Sequence, residues 1–279
     1  VTVNVAAALA AAGHTVGLLD ADIWGFSVPR LLGINEPLSA ERVDGSDKPR
    51  IIPNDKPIGT GLLRVVSTGF MVDEATALMW RGLMLTKAVE QFLTDVAWGD
   101  LDYLLIDLPP GTGDVQMGLA RLLPRTSMVI VTTPALAAQK VAQRAADMAA
   151  RSFLPVVGVV ENMSAFVCDH GESYALFGSG GGQALADAID APLLASIPIE
   201  PAVATGNDAG RPVAVDGTDA AAEAFRSIAA QLAELVVPAM SGPAGCGSFG
   251  DLTTNDTALP SRSADDTHDT LVTVGPRRA

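Results

Sequence analysis

Asp107 ends a short apolar run, Tyr103 to Ile106, and is followed by Leu-Pro-Pro-Gly-Thr-Gly-Asp. The run is long enough for a buried strand. Pro109, Pro110, Gly111 and Gly113 stop that strand and delay the next helix, which Asp114 is suited to cap. One carboxylate therefore stands at the carboxyl end of a strand, beneath a loop that is stiff at its prolines and hinged at its glycines. In open α/β sheets that edge is where ligands bind. An acidic strand-to-helix turn would use the same residue types.

Asp20 and Asp22 form a second acidic group, in Asp-Ala-Asp-Ile-Trp-Gly after the apolar run Thr15 to Leu19. Like charges this close repel unless a cation or a bound water network compensates them, although a solvated acidic turn would also carry them. Further polar residues close other apolar runs: Thr133 after Ser127 to Thr132, Asn162 after Pro155 to Val160, and Pro198 after Leu193 to Ile197. In a parallel sheet all these strand ends share one rim.

The elements that must position them alternate. A breaker-free, Ala-rich helix runs from Val1 to Ala12 and stops at Gly13. A short helix is expected over Ser27 to Leu32, and a loop or small hairpin over 35–61 with a strand near Arg50 to Ile52. Leu63 to Ser67 is a strand. Trp80 to Ala97 reads as an amphipathic helix with Leu83, Val89, Phe92, Leu93 and Val96 inward. Helices follow over Gln116 to Leu123, Ala135 to Arg151, Gly180 to Ile189 and Ala220 to Val237, with an irregular excursion over 165–178. Alternating strands and helices predict an α/β, doubly wound, mostly parallel sheet with helices on both faces. The domain spans 1–237. Residues 238–279, rich in Ser, Gly, Thr, Asp and Pro, are expected to be a disordered polar tail without chemistry.

Composition sets limits. The chain has 279 residues, 48% hydrophobic but only 5% aromatic, which suits helices packed on a parallel sheet. A net charge of −14 argues against a nucleic-acid surface, which needs clustered Lys and Arg. No apolar run is long enough for a membrane span, and no secretory leader is visible. With two cysteines, Cys168 and Cys246, a disulfide framework is not expected and a cytoplasmic setting is.

Several of these stretches, in this order, resemble the Mrp/ApbC family of ATP-binding iron–sulfur cluster carriers, which are MinD-like, deviant P-loop NTPases. They are Asp20-Ala-Asp-Ile-Trp-Gly-Phe-Ser-Val-Pro-Arg, Trp80-Arg-Gly, Ile106-Asp-Leu-Pro-Pro-Gly-Thr-Gly-Asp, Glu161-Asn-Met-Ser and Phe177-Gly-Ser-Gly-Gly-Gly. The resemblance covers residues 1–237. It implies a homodimer that binds ATP with Mg²⁺, hydrolyses ATP, and carries a [4Fe–4S] cluster to apo iron–sulfur proteins. By position, Asp20 and Asp22 match the switch I carboxylates, one orienting the attacking water and the other acting on the magnesium shell. Asp107 matches the Walker B aspartate, which holds Mg²⁺ through water. Gly111, Thr112, Gly113 and Asp114 match the second switch, and Asn162 the residue that reads the adenine edge. Pro198 to Pro201, including Glu200, lie where the adenine-side loop runs. Phosphoryl transfer needs little more than a cation, a positioned water and donors for developing charge.

Two departures from the family matter. No Gly-x-x-x-x-Gly-Lys-Ser/Thr occurs, so the expectation is an amino-terminally incomplete ATPase. It would lack its first, central strand and its phosphate loop, and as given it would bind and hydrolyse ATP weakly or not at all. The family's Cys-x-x-Cys is also incomplete: Cys168 holds the first position and Gly171 the second, with His170 as a candidate substitute iron ligand. Cys168 as an idle packed thiol fits the sequence as well. Two other functions compete. One is a MinD/ParA-type positioning ATPase, for which the acidic chain offers neither a basic DNA surface nor a membrane helix; the other is a nucleotide-free scaffold.

Overall fold

The computed structural model describes residues 1–22, 25–42, 48–70, 82–109, 114–123, 125–235 and 270–274, with backbone alone at 82–86, 114–115 and 270–274. The order of elements is α1 (Thr2–Ala11), β1 (Thr15–Asp20), α2 (Val28–Leu32), β2 (Ser39–Glu41), β3 (Arg50–Ile52), β4 (Asn54–Ile58) and β5 (Gly61–Ser67). A 3₁₀ turn (Thr68–Phe70), α3 (Gly82–Thr94), β6 (Tyr103–Leu108), α4 (Asp114–Leu122), β7 (Ser127–Thr132) and α5 (Leu136–Arg151) follow. Then come β8 (Val156–Val167), β9 (Ser173–Tyr174), α6 (Gly181–Ala188), β10 (Leu193–Ile199), α7 (Pro201–Asp208), α8 (Val213–Asp216), α9 (Ala220–Leu235) and β11 (Thr270–Val274).

The main sheet runs β10-β8-β7-β11-β6-β1-β5-β4. Its pairings are parallel except for β4 on β5 and β9 on β8. The near-continuous apolar runs of β6 and β7 follow from burial on both faces. Alternation assigns the faces. Val16, Leu18, Tyr103, Leu105, Val129 and Val131 pack towards α1, α8 and α9. Leu19, Leu104, Ile106, Met128 and Ile130 pack towards α3, α4, α5 and α6. Helix α1 is buried along nearly its whole length. Its alanines permit this close seating: a Cβ at Gly61 would run into the carbonyl oxygens of Ala10 and His14.

Some expectations change. The hairpin over 35–61 is present as β2–β3, but β4 also joins the main sheet. Helices α7 and α8 went unread because Gly206, Gly210, Gly217 and Pro212 break the apolar period. The excursion after Glu161 is not irregular. The strand continues to Val167 and folds back as β9, pairing Phe166 with Tyr174 and Val167 with Ser173. The helix expected over Trp80 to Ala97 ends at Thr94, where the chain turns to bridge Val96 to Ile51, and Trp80 lies outside the described residues.

The tail differs most. Thr270–Val274 is a strand at the sheet centre, where the sequence reading left a gap. Thr-Leu-Val-Thr-Val is a β-branched, half-apolar pattern that suits a strand, and the polar average of the surrounding residues hides it. Residues 238–269 and 275–279 lie outside the described residues.

Candidate functional site

Parallel pairing lines up the carboxyl ends. Register sets Ser67 of β5 beside Asp20 of β1, and Asp20 beside Asp107 of β6. The two acidic groups separated by 87 positions in sequence are thus neighbours on one rim, as the strand-end pattern predicts.

Asp20 is fully buried, and its charge is met by the protein itself. Oδ2 accepts from the backbone amides of Ser27 (3.1 Å) and Val28 (3.2 Å) at the start of α2, and from Ser67 Oγ (3.2 Å). Oδ1 accepts from the Asp22 amide at 3.2 Å. The compensation expected from a cation or water therefore comes in large part from backbone N–H groups, including those at a helix amino terminus. Asp22, also buried, accepts from the Gly25 amide at 3.0 Å. Asp107 Oδ1 accepts the hydroxyl of Thr2, 2.8 Å away in the first turn of α1, and its carbonyl oxygen accepts the Ala21 amide at 2.9 Å. The donor set here is hard oxygen throughout, carboxylate and hydroxyl, which suits Mg²⁺ rather than a softer metal.

Gln116 Nε2 donates to the Pro109 carbonyl at 2.7 Å and ties α4 to the loop that follows β6. Gly111, Thr112 and Gly113 lie outside the described residues; α4 begins at Asp114, whose side chain is not among those described.

The rim has a second level. Asp107 registers with Thr273, Thr273 with Val129, and Val129 with Gly158. Thr132, Glu161 and Ser196 form the next row, three residues beyond. At strand rise that is about 10 Å above the carboxylates, before twist. Asn162 follows, half-buried and paired with Ile197, the residue before Pro198; after a register shift Ile199 pairs with Phe166, so Glu200 lies further along β8. Glu200 precedes α7, and its side chain makes no capping bond there.

Glu161 is buried and accepts from the Gly182 amide in the first turn of α6 and from Ser196 Oγ (3.2 Å). The glycines at 180–182 suit either an anion site or a hinge; here the anion at the helix start is the chain's own Glu161. Gly182 leaves room for it, since a Cβ would collide with Glu161. Replacing Glu161 with Ala is expected to lower stability by about 1–3 kcal/mol, because it leaves the buried Gly182 amide without its acceptor. Thermal melts read this, and an unchanged midpoint would contradict the assignment.

Cys168 lies at the hairpin tip, ten residues beyond Gly158 along the chain and well away from the carboxylate level. Backbone N–H groups, that of His170 foremost and then those of Glu172, Cys168 and Gly171, hold its thiol pKa below the usual value against a smaller opposing effect of desolvation. The thiolate is the metal-binding form. His170 is exposed beside it. Among the described residues no cluster of three or more His, Cys, Asp or Glu could hold a metal ion. Sequence reasoning missed Thr2, Ser67, Gln116 and the internal role of Glu161. Ser67 alone carried a usable signal, a polar residue closing an apolar strand.

No helix among the described residues is long and apolar enough to cross a membrane.

Residues 1–233 match the family model ParA, described as NUBPL iron-transfer P-loop NTPase. An iron–sulfur cluster carrier protein of Mycobacterium leprae is 44% identical over 226 residues, covering 78% of this chain and 56% of that protein. The chain thus spans little more than half the length of that relative. Among solved structures, a nucleotide-binding protein in complex with ADP from Archaeoglobus fulgidus matches with a TM-score of 0.62 and 33% identity, covering 80% of this chain and 84% of that one. The cell division ATPase MinD of Pyrococcus furiosus matches with a TM-score of 0.59 at 20% identity, over 84% of this chain and 92% of that one, a likeness of fold. The doubly wound sheet, the aligned strand-end carboxylates and the match over 1–233 lead to one conclusion: the chain belongs to the ParA family of NUBPL iron-transfer P-loop NTPases.

Proposed function

We propose that this chain supplies the strand-end carboxylates and switch loops of the nucleotide site of an iron–sulfur cluster carrier, which uses ATP in moving [4Fe–4S] clusters to apo-proteins. The observation that carries this reading is the register of Asp20 against Asp107 on the rim of a chain whose family is iron-transfer NTPases. Asp107 would hold Mg²⁺ through water, with the Thr2 hydroxyl fixing the carboxylate. Bound Mg²⁺ would neutralise charge on the transferring phosphoryl group. Asp20, committed to the backbone of the 22–28 loop, positions that loop, and Asp22 orients the attacking water. Gly111 to Asp114 serve as the γ-phosphate-sensing loop. Asn162, with Pro198 after its partner Ile197, forms the adenine side, and Glu200 lies further along the same edge.

The cluster is cargo. One chain offers one hairpin thiolate, whereas a [4Fe–4S] cluster takes four ligands. Two hairpins facing each other in a homodimer would bring Cys168 and His170 from each protomer to one place. Exposed Met163, Val167, Tyr174, Leu176 and Phe177 give that region an apolar surface suited to a partner.

Anaerobic reconstitution of the whole protein tests the reading. Iron and sulfide should bind, and Cys168→Ala should lose most of both; unchanged content in the variant would remove Cys168 from the site. A second expectation concerns the thiol itself. The pH profile of Cys168 alkylation in the metal-free protein should have its midpoint below the ordinary thiol value of about 8.5. Because the folded pKa is lowered, the reactive thiolate persists as pH falls from 8.5 and is lost only through that lower midpoint. Mass spectrometry of the alkylated Cys168 peptide reads the profile, and a midpoint at or above 8.5 would contradict the amide cradle.

A further inference from the structure

Helix α2 serves one side of the candidate site and helix α7 the other, and the two helices meet at their far ends. The start of α2 presents the Ser27 and Val28 amides to Asp20. Helix α7 follows β10 after Glu200, just past the residues assigned to the adenine side. The last turns of the two helices touch backbone to backbone. Gly33, which ends α2, has φ 62°, and Gly210, just beyond α7, has φ 67°. A Cβ on Gly210 would come within 2.5 Å of Gly33 Cα, so this approach needs glycine. Arg30 and Asp208 span the same junction at 4.0 Å, but both are well exposed and the pair contributes little.

Lys56 fastens the junction. It stands half-buried on β4, the edge strand paired with β5. Its ammonium donates to the Leu32 carbonyl and, at 3.4 Å, to the Gly210 carbonyl. The last carbonyls of a helix lack intrahelical N–H partners and carry the negative end of its dipole, so a cation suits them. Among the described residues no carboxylate pairs with Lys56, and these carbonyls direct its ammonium. Helix α2 has five residues and is a spacer of about 8 Å. A shift at Gly33 is therefore carried to the amides of Ser27 and Val28, and through them to the 22–28 loop.

We propose that Lys56 is a positioning residue that couples the adenine-side helix α7 to the loop organised by Asp20. By joining Leu32 to Gly210 it keeps α2 from pivoting on Asp20 while α7 stays on β10. Without the ammonium the two glycines part more readily, α2 loses its far anchor, and Asp22 loses its fixed place. The mechanical link stands on contacts within this chain. Its consequence for turnover rests on the nucleotide function proposed for the rim.

Two measurements on the whole protein test the link and its consequence separately. Lys56→Met keeps the apolar stem and removes the donor. Without nucleotide it should speed amide exchange at Ser27, Val28, Ile34 and Arg211 by about tenfold or more, while the amides of Leu63 to Ser67 keep their protection. Gly210→Ala, which acts from the α7 side, should speed exchange at Ser27 and Val28 to a similar degree. Unchanged exchange at Ser27 and Val28 in either variant, or equal acceleration throughout the sheet, would overturn the link. With ATP and Mg²⁺, Lys56→Met should lower kcat by about tenfold and leave KM within about twofold, because the loop that places the attacking water loosens while the adenine side stays on β10. Lys56→Arg keeps a cation with N–H donors and should retain at least about half of kcat. An unchanged kcat in Lys56→Met, a KM that rises as much as kcat falls, or a Lys56→Arg as slow as Lys56→Met would overturn the positioning role. Absence of turnover in the unmodified protein would count against the nucleotide function itself, and the exchange pattern would still decide the link.

Discussion

Asp20→Ala is expected to lower the thermal midpoint by roughly 10 °C, the loss of about 3–5 kcal/mol in a domain of this size. The argument starts from burial. Asp20 is inaccessible to water, and its two oxygens receive the amides of Asp22, Ser27 and Val28 and the hydroxyl of Ser67. Alanine leaves these donors, of which those of Asp22, Val28 and Ser67 are buried, without that carboxylate, and it removes the charge that faces the start of α2. Asp20→Asn should also destabilise, because an amide offers N–H where the site needs acceptors. Asp147→Ala serves as the comparison. Its partner Arg151 is one turn away and both side chains are well exposed, so the change should stay within about 0.5 kcal/mol. Calorimetric melts of the three variants would decide the matter, and an Asp20→Ala midpoint equal to that of Asp147→Ala would rule out the carboxylate as the organiser of the 22–28 loop.

Asp107→Asn should separate stability from chemistry. Asparagine keeps an oxygen for the Thr2 hydroxyl, so the midpoint should move by no more than about 1 kcal/mol equivalent. ATP turnover by the whole protein should nevertheless fall by about 10²–10³, because the neutral side chain no longer draws the magnesium shell towards the phosphates. Phosphate release and thermal melts on the same preparations give both readouts. Undiminished turnover would exclude Asp107 from the nucleotide site, whereas a collapse of the midpoint would show that its role is structural.

The sheet and the site were legible to different degrees. Apolar runs closed by Asp20, Asp107 and Thr133 were legible because a parallel strand buried on both faces writes an unbroken hydrophobic word, and its carboxyl end must be polar. The hairpin beyond Glu161 was not. Val167, Tyr174 and Phe177 are exposed apolar residues on a projecting ribbon, and their pattern resembles neither a half-buried strand nor a loop. Helices α7 and α8 escaped for a related reason, since short helices rich in Gly and Pro are stabilised by what they touch. Asn4 Oδ1 accepting the Ala214 amide at 3.1 Å is one such contact.

What the sequence by itself determined is the fold class, the family, and which residues stand at strand ends, because periodicity and turn chemistry are local properties of the chain. Tertiary structure decided the rest. It gave Asp20 to the backbone of the following loop, turned the glycine-rich start of α6 to the chain's own Glu161, and raised Cys168 on a hairpin away from the carboxylates. It also drew Thr270–Val274 into the centre of the sheet. Each of these depends on a partner more than 20 positions away or on register between strands, except the turn from Asp20 to Val28. That turn too is settled by Ser67, which packing alone brings to the same carboxylate. Hydrogen bonds between distant groups form only after the sheet is assembled, and no local pattern announces which buried donor will meet which acceptor.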